Sequence, residues 1–207
     1  MIEVINVSKS FDGQMVLKDI TTTFEKGKTN LIIGQSGSGK TVLMKCCIGL
    51  LDADEGEIIF DGLVFSALKE KEKRKTRKEM GVLFQIVNAN EKFPSEISGG
   101  MIKRVAIARA IALNPKYLFC DEPNSGLDPK TAERIDQLIS ELTEKFQMIT
   151  VINTHDMNSV LQIGEKIAFI HSGQLWWEGD KNQILNTDNE ELNEFVFATE
   201  LTRRVKR

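Results

Sequence analysis

The run Gly34-Gln-Ser-Gly-Ser-Gly-Lys-Thr41 combines small residues with one cation and one hydroxyl in a pattern suited to phosphate. Small residues let successive backbone amides turn toward an anion without side-chain obstruction. Gly34, Ser36, Gly37, Ser38 and Gly39 would form that cradle, and Lys40 would reach the β- and γ-phosphates of a nucleoside triphosphate. The Thr41 hydroxyl is an oxygen ligand of the kind Mg²⁺ takes. An apolar stretch, Thr29 to Gly34, precedes the loop and a helical pattern follows Lys40, which is the strand, loop and helix order such a cradle needs.

Three further clusters carry polar chemistry. Tyr117 to Glu122 reads as a buried strand that ends in two acids. Asp121 suits the shell of a Mg²⁺ ion, directly or through water, and Glu122, projecting differently, would align an attacking water. Taken alone the pair reads equally well as two solvated loop acids; the neighbouring phosphate loop weighs against that. Ser98-Gly99-Gly100 opens a helix, either as a plain N-cap or as a second anion site at a positive helix end. One nucleotide does not need two such sites in one chain, whereas two chains facing each other would use both. An isolated histidine is more often a bystander, but His155, in Asn153-Thr-His-Asp156, is one of two in the chain and follows a strand, where a γ-phosphate partner is required.

The elements that must hold these residues alternate between strand and helix. Strand patterns cover Ile2–Val7, Thr21–Glu25, Thr29–Gly34, Gly56–Gly62, Met80–Gln85, Tyr117–Glu122 and Met148–Asn153, and Lys166–Gly179 reads as a hairpin. Helical patterns cover Lys40–Leu51, Gly100–Leu113 with Val105, Ala108 and Ala112 on one face, Pro129–Phe146, Met157–Gly164 and Glu190–Arg207. Asp180 can cap a further short helix. Alternation of this kind implies a mainly parallel sheet covered on both faces.

Composition bounds the rest. The 207 residues, 41% hydrophobic and 28% charged, suit one globular domain. A net charge of -3 gives no electrostatic case for nucleic acid. Cys46, Cys47 and Cys120 show no paired spacing and read as buried thiols in a reducing compartment. The mixed-sign run Lys69–Glu79 reads as a solvated helix face before it reads as a contact for acidic partners or anionic lipid. With no apolar run of spanning length and no leader pattern, a cytoplasmic chain is expected.

In this order the clusters resemble the nucleotide-binding subunit of an ATP-binding cassette (ABC) transporter. Gly34–Thr41 stands as Walker A, Gln85 as the Q-loop, Ser98–Gly100 as the signature, Tyr117–Glu122 as Walker B, Ser125–Asp128 as the D-loop and His155 as the switch histidine. Phe11 stands where that family places the aromatic that stacks on adenine. The resemblance implies an α/β P-loop NTPase of ABC-ATPase type: a mainly parallel sheet flanked by helices plus an N-terminal antiparallel β subdomain, one domain over residues 1–207. It implies ATP and Mg²⁺, with Thr41, Gln85 and Asp121 near the metal and Lys40, Gln85, Glu122 and His155 as catalytic groups. Two copies would close head to tail, Ser98, Gly99, Gly100 and Asp128 completing the nucleotide sites. The implied activity is ATP hydrolysis driving transmembrane permease subunits at the cytoplasmic face of the inner membrane. The residues around the signature, D-loop and switch histidine are similar to those of Mce/Mla-type phospholipid transporters, which implies a phospholipid cargo and an Mce-type substrate-binding protein. ABC ATPases of DNA repair or translation carry long coiled-coil insertions, zinc-binding cysteine pairs or tandem cassettes, and this sequence shows none. A nucleotide-gated module without turnover is the other alternative, and the intact carboxylate of Glu122 argues against it.

The resemblance breaks at one place. Only twelve residues, Ile86 to Ile97, separate Gln85 from Ser98, where the family places a helical subdomain a few dozen residues longer. Twelve residues reach about 40 Å when extended, so the core need not be broken. The expectation is a truncated or missing helical subdomain around 86–97.

Overall fold

The computed structural model describes residues 1–84 and 98–197. Its strands are β1 (Ile2–Phe11), β2 (Gln14–Phe24), β3 (Thr29–Ile33), β4 (Glu55–Phe60), β5 (Leu63–Val64), β6 (Met80–Leu83), β7 (Tyr117–Asp121), β8 (Ile149–Thr154), β9 (Lys166–His171) and β10 (Gln174–Gly179). Its helices are α1 (Lys40–Ile48), α2 (Glu70–Arg77), α3 (Gly99–Ile111), α4 (Pro129–Phe146), α5 (Met157–Ile163) and α6 (Glu190–Val196), with a short 3₁₀ turn at Ile184–Asn186.

Two sheets result. The N-terminal one is antiparallel, in the order β2-β1-β4-β5. The second runs β10-β9-β3-β8-β7-β6 and is parallel except where β10 returns beside β9. β3, β7 and β8 are buried along their whole length, which is why they read as continuous apolar runs without alternation. One core, with Phe24, Leu43, Met44, Phe60 and Phe119, fills the space between the two sheets around α1. The other, with Leu31, Ile107, Ile135, Ile139 and Phe169, lies between the parallel sheet and helices α3 to α6.

Topology decides where the site falls. β8 lies between β3 and β7, with Ile33 opposite Thr154 and Asp121 opposite Asn153. Strands sit about 4.8 Å apart, so the three loops leaving these strands emerge within about 10 Å of one another. They carry the phosphate loop, Glu122 and His155.

Several boundaries differ from the sequence reading. α1 stops at Ile48, not Leu51, because Gly49 takes a left-handed φ of 73° and turns its N–H back to Cys46 and Lys45 carbonyls. α6 covers only Glu190–Val196; the expected continuation past Phe197 lies outside the described residues. In α3 the face carrying Val105, Ala108 and Ala112 points to solvent, while Gly100, Lys103 and Ile107 are buried. The helix is apolar on more than one side, so periodicity cannot choose the inner face; contact with β6 and α4 does. α2 is the charged helix expected, but Lys73 is buried, paired to Asp52 at 2.6 Å and placed over the Phe65 ring.

Candidate functional site

The phosphate loop leaves β3 at Gly34, where a Cβ would collide with the Ile170 carbonyl oxygen and the Ser38 hydroxyl. Its φ of 147° belongs to a region only glycine visits easily. Lys40, at the first position of α1, folds back so that Nζ donates to the Gly34 and Gln35 carbonyl oxygens, both at 2.8 Å. Burial pushes its ammonium below the usual lysine value, while Glu122 and Asp121 pull the other way. No carboxylate neutralises it directly among the described ion pairs. Ser38 Oγ is buried and lacks a hydrogen-bond partner. A desolvated cation held by carbonyls and an orphaned hydroxyl in one small loop fit a phosphate group, which would satisfy both.

Thr41 and Asp121 meet across the loop: the Thr41 hydroxyl donates toward Oδ1 and Oδ2 of Asp121 at 3.3 and 3.4 Å. Asn153 of β8 donates to Asp121 Oδ1 at 3.1 Å and fixes the carboxylate from behind. One hydroxyl and one carboxylate fit Mg²⁺, which keeps several waters and takes other oxygens from phosphate. No cage of three or more acidic, histidine or cysteine side chains exists among the described residues, so phosphate oxygens and water would complete the shell.

Glu122 and His155 form a pair, with Oε1 and Nδ1 2.7 Å apart. A carboxylate only accepts, so this bond places hydrogen on Nδ1 and leaves Nε2 facing outward. The Glu122 side chain is 16% exposed and the His155 ring 66% exposed. Glu122 also takes a left-handed φ of 49°, unusual for a residue that is neither Gly, Asn nor Asp, and its N–H is held by the Asn153 carbonyl at 3.0 Å. Strain of this sort tends to collect at functional sites.

The other sequence candidates lie farther out. Ser98 caps α3, its Oγ accepting from Met101 N at 3.3 Å, and Gly99 and Gly100 form the first turn. Asp128 caps α4 by accepting from Thr131 N at 3.1 Å. Phe11 ends β1, 40% exposed, with Lys9 Nζ 5.5 Å from its ring centroid. Gln85 lies outside the described residues, as does the segment 86–97.

Sequence reasoning missed Lys103 and the structural part played by Asn153 and Asn124. Lys103 is buried on α3 and reaches the Glu122 carbonyl oxygen at 3.5 Å; burial pushes its ammonium down, against Cys120 and Glu122. Asn153 was visible as a polar residue inside an apolar strand run, the signal that finds a buried amide with a task. Cys46, Cys47 and Cys120 are buried free thiols, and burial raises Cys46 to about 11 and Cys120 to about 12, so none is a nucleophile at neutral pH.

Behind the pair lies a buried acid, Asp136 of α4. Burial raises its carboxyl to about 6, the Ser159 and Asn124 hydrogen bonds oppose this, and Asp156 adds repulsion. A raised carboxyl favours the fold fully below the unfolded value near 3.8, and that contribution is lost as pH rises through about 6. Asp136→Asn removes the cost, about 3 kcal/mol at most, while keeping an acceptor oxygen. The thermal midpoint should exceed that of the unaltered chain at pH 7.5, and the gap should narrow at pH 5. A gap that is equal at both pH values counts against this assignment.

Comparison with known proteins agrees with the geometry. A family model described as ABC transporter matches residues 17–93 and, overlapping it, 86–125. The methionine import ATP-binding protein MetN of Clostridium acetobutylicum is 37% identical over 231 residues, covering 92% of this chain and 72% of that protein. The probable ribonucleotide transport ATP-binding protein mkl of Mycobacterium tuberculosis is 30% identical over 236 residues, covering 94% of this chain and 66% of its own length. Among solved structures, the dimeric cassette MJ0796, described as a bacterial ABC transporter cassette, superposes with a TM-score of 0.76 at 27% identity, covering 87% of this chain and 99% of that one. The same cassette in a post-hydrolysis state bound to ADP and Pi gives 0.74 at 26% identity. The MetN alignment is longer than this chain's own share of it by about 40 positions, and the two family matches meet at 86–93.

Proposed function

The chain belongs to the ABC transporter family as its ATP-binding subunit, and from that premise we propose that it closes head to tail on a second copy and powers a membrane permease. It is an ATPase, and its cofactors are ATP and Mg²⁺. The observation that carries the reading of its site is the convergence of Lys40, the Thr41–Asp121 contact and the Glu122–His155 pair at the ends of three adjacent strands.

Bound ATP supplies the phosphoanhydride that is cleaved, and Mg²⁺ screens its charge. Lys40 binds the β- and γ-phosphates, and the loop amides orient them. Thr41 and Asp121 would hold the metal, and the family resemblance assigns its sensing to Gln85. Glu122 accepts a proton from water at its carboxylate. His155 holds the Glu122 oxygen through Nδ1, and its Nε2 would donate to a γ-phosphate oxygen once it too carries a proton. Phe11 stacks on adenine, and Ser98, Gly99, Gly100 and Asp128 of one copy complete the nucleotide site of the other.

No helix among the described residues is long and apolar enough to cross a membrane. Membership of the family supports a peripheral position on permease subunits, at the cytoplasmic face of the inner membrane. For the cargo, phospholipid with an Mce-type binding protein rests on the residues around the signature, D-loop and switch histidine. A second reading, methionine, is favoured by the 37% identity to a methionine import protein. The surplus in that alignment supports a missing helical subdomain between Gln85 and Ser98, and so weak coupling to a permease.

The chain should be used to capture its permease from native membranes, with the captured binding protein's ligand identified by mass spectrometry. Phospholipid favours the first cargo and methionine the second; ribosomes or DNA in place of a permease overturn the transport role. Reconstituted in vesicles, the complex should hydrolyse ATP yet move cargo at least about tenfold slower than a full-length relative, the factor expected if about 1.4 kcal/mol of coupling is lost. Equal transport refutes the missing subdomain's importance.

A further inference from the structure

We propose that Asn124 is a positioning residue for ATP hydrolysis: its buried amide latches the D-loop turn to the switch-histidine loop and so sets the separation of Glu122 and His155. The inference rests on the roles proposed above for that pair.

The geometry is a ladder of two rungs between neighbouring loops. The outer rung is the Glu122–His155 bond at 2.7 Å. The inner rung is Asn124 Nδ2, which donates to Asp156 Oδ2 at 3.4 Å, one residue beyond His155. The same amide faces Ser159 Oγ of α5 at 2.7 Å and Asp136 Oδ2 of α4 at 3.1 Å, so its two hydrogens serve three acceptors, one of them shared. Ser159 Oγ in turn donates to Asp136 Oδ2 at 2.7 Å, closing the cluster. Asp156 is itself held, accepting from Asn158 N at 2.9 Å as the cap of α5.

Asn124 also sits at the base of the turn that becomes the D-loop. Its carbonyl accepts from Leu127 N at 3.3 Å, and Ser125 N donates to the Glu122 carbonyl at 3.2 Å. One side chain, 5% exposed, therefore ties together α4, α5 and both loops. An apolar residue would fill this space without the desolvation cost of a buried amide and carboxylate. A polar cluster with directional bonds instead specifies one relative placement of the elements it joins. Any relative shift of α4 and α5 must then move the outer rung, where an error of about 1 Å costs on the order of 100-fold in rate.

The test uses the full chain, its Asn124→Ala and His155→Ala variants, and the double variant. Asn124→Ala should lower kcat about 100-fold with KM for ATP within about twofold. In the double variant kcat should fall no more than about twofold below His155→Ala alone, because the two residues act through one geometry. Without nucleotide, amide exchange in residues 122–128 and 154–158 should be faster in Asn124→Ala. Unchanged kcat, or losses that multiply, overturns the proposal. Should Asn124→Ala fail to fold, Ser159→Ala removes one partner and keeps the amide; a kcat loss of about tenfold at constant KM supports the latch, and unchanged kcat refutes it. If Glu122→Gln keeps full turnover, the assigned pair fails, whatever the Asn124 result.

Discussion

Glu122→Gln should bind ATP with unchanged affinity and lose turnover by about 1,000-fold, the range of a missing general base. Gln keeps the length and an oxygen that can still accept from His155 Nδ1, so the 2.7 Å contact survives while the proton acceptor does not. Because ATP then persists, two copies should remain closed on it, and the variant should elute as an ATP-dependent dimer. Steady-state phosphate release and size-exclusion chromatography with ATP measure both outcomes. Turnover within tenfold of the unaltered chain removes Glu122 from its role, and loss of turnover in His155→Ala would then point to His155 as the base.

Lys40→Met should weaken nucleotide binding about 100-fold, from the loss of charge-assisted hydrogen bonds worth about 3 kcal/mol. The ammonium is buried, donates to two carbonyl oxygens and forms no ion pair among the described residues, so its field is directed into the loop and not spent on a salt bridge. Methionine refills the volume, which keeps α1 packed on its core neighbours. Titration with a fluorescent ATP analogue reads the change, and circular dichroism checks the fold. Retained affinity would mean that the loop amides alone bind the phosphates.

What the sequence makes legible is what lies close together along the chain. The phosphate loop, the acids ending β7 and the histidine after β8 each appear as short patterns with their own physical logic. That their strands are neighbours is set by long-range pairing, across more than a hundred residues for β3 and β8, which no local pattern reports. The inner face of α3 was unreadable because Met101, Val105 and Ala108 are as apolar as the residues that turn inward. The cluster of Asn124, Asp136 and Ser159 joins residues 12 and 35 positions apart, each unremarkable in its own segment. Such networks exist only once α4 and α5 have packed.

The left-handed backbone at Glu122 puts two kinds of selection in opposition at one position. An L-residue with a long side chain is strained there by roughly 1–2 kcal/mol, a cost that Gly escapes and Asn eases. A library screened for heat tolerance alone would drift toward Gly or Asn at 122, and its most robust members would be the inactive ones. Only a screen that demands turnover would keep the carboxylate, and with it a small permanent deficit in stability.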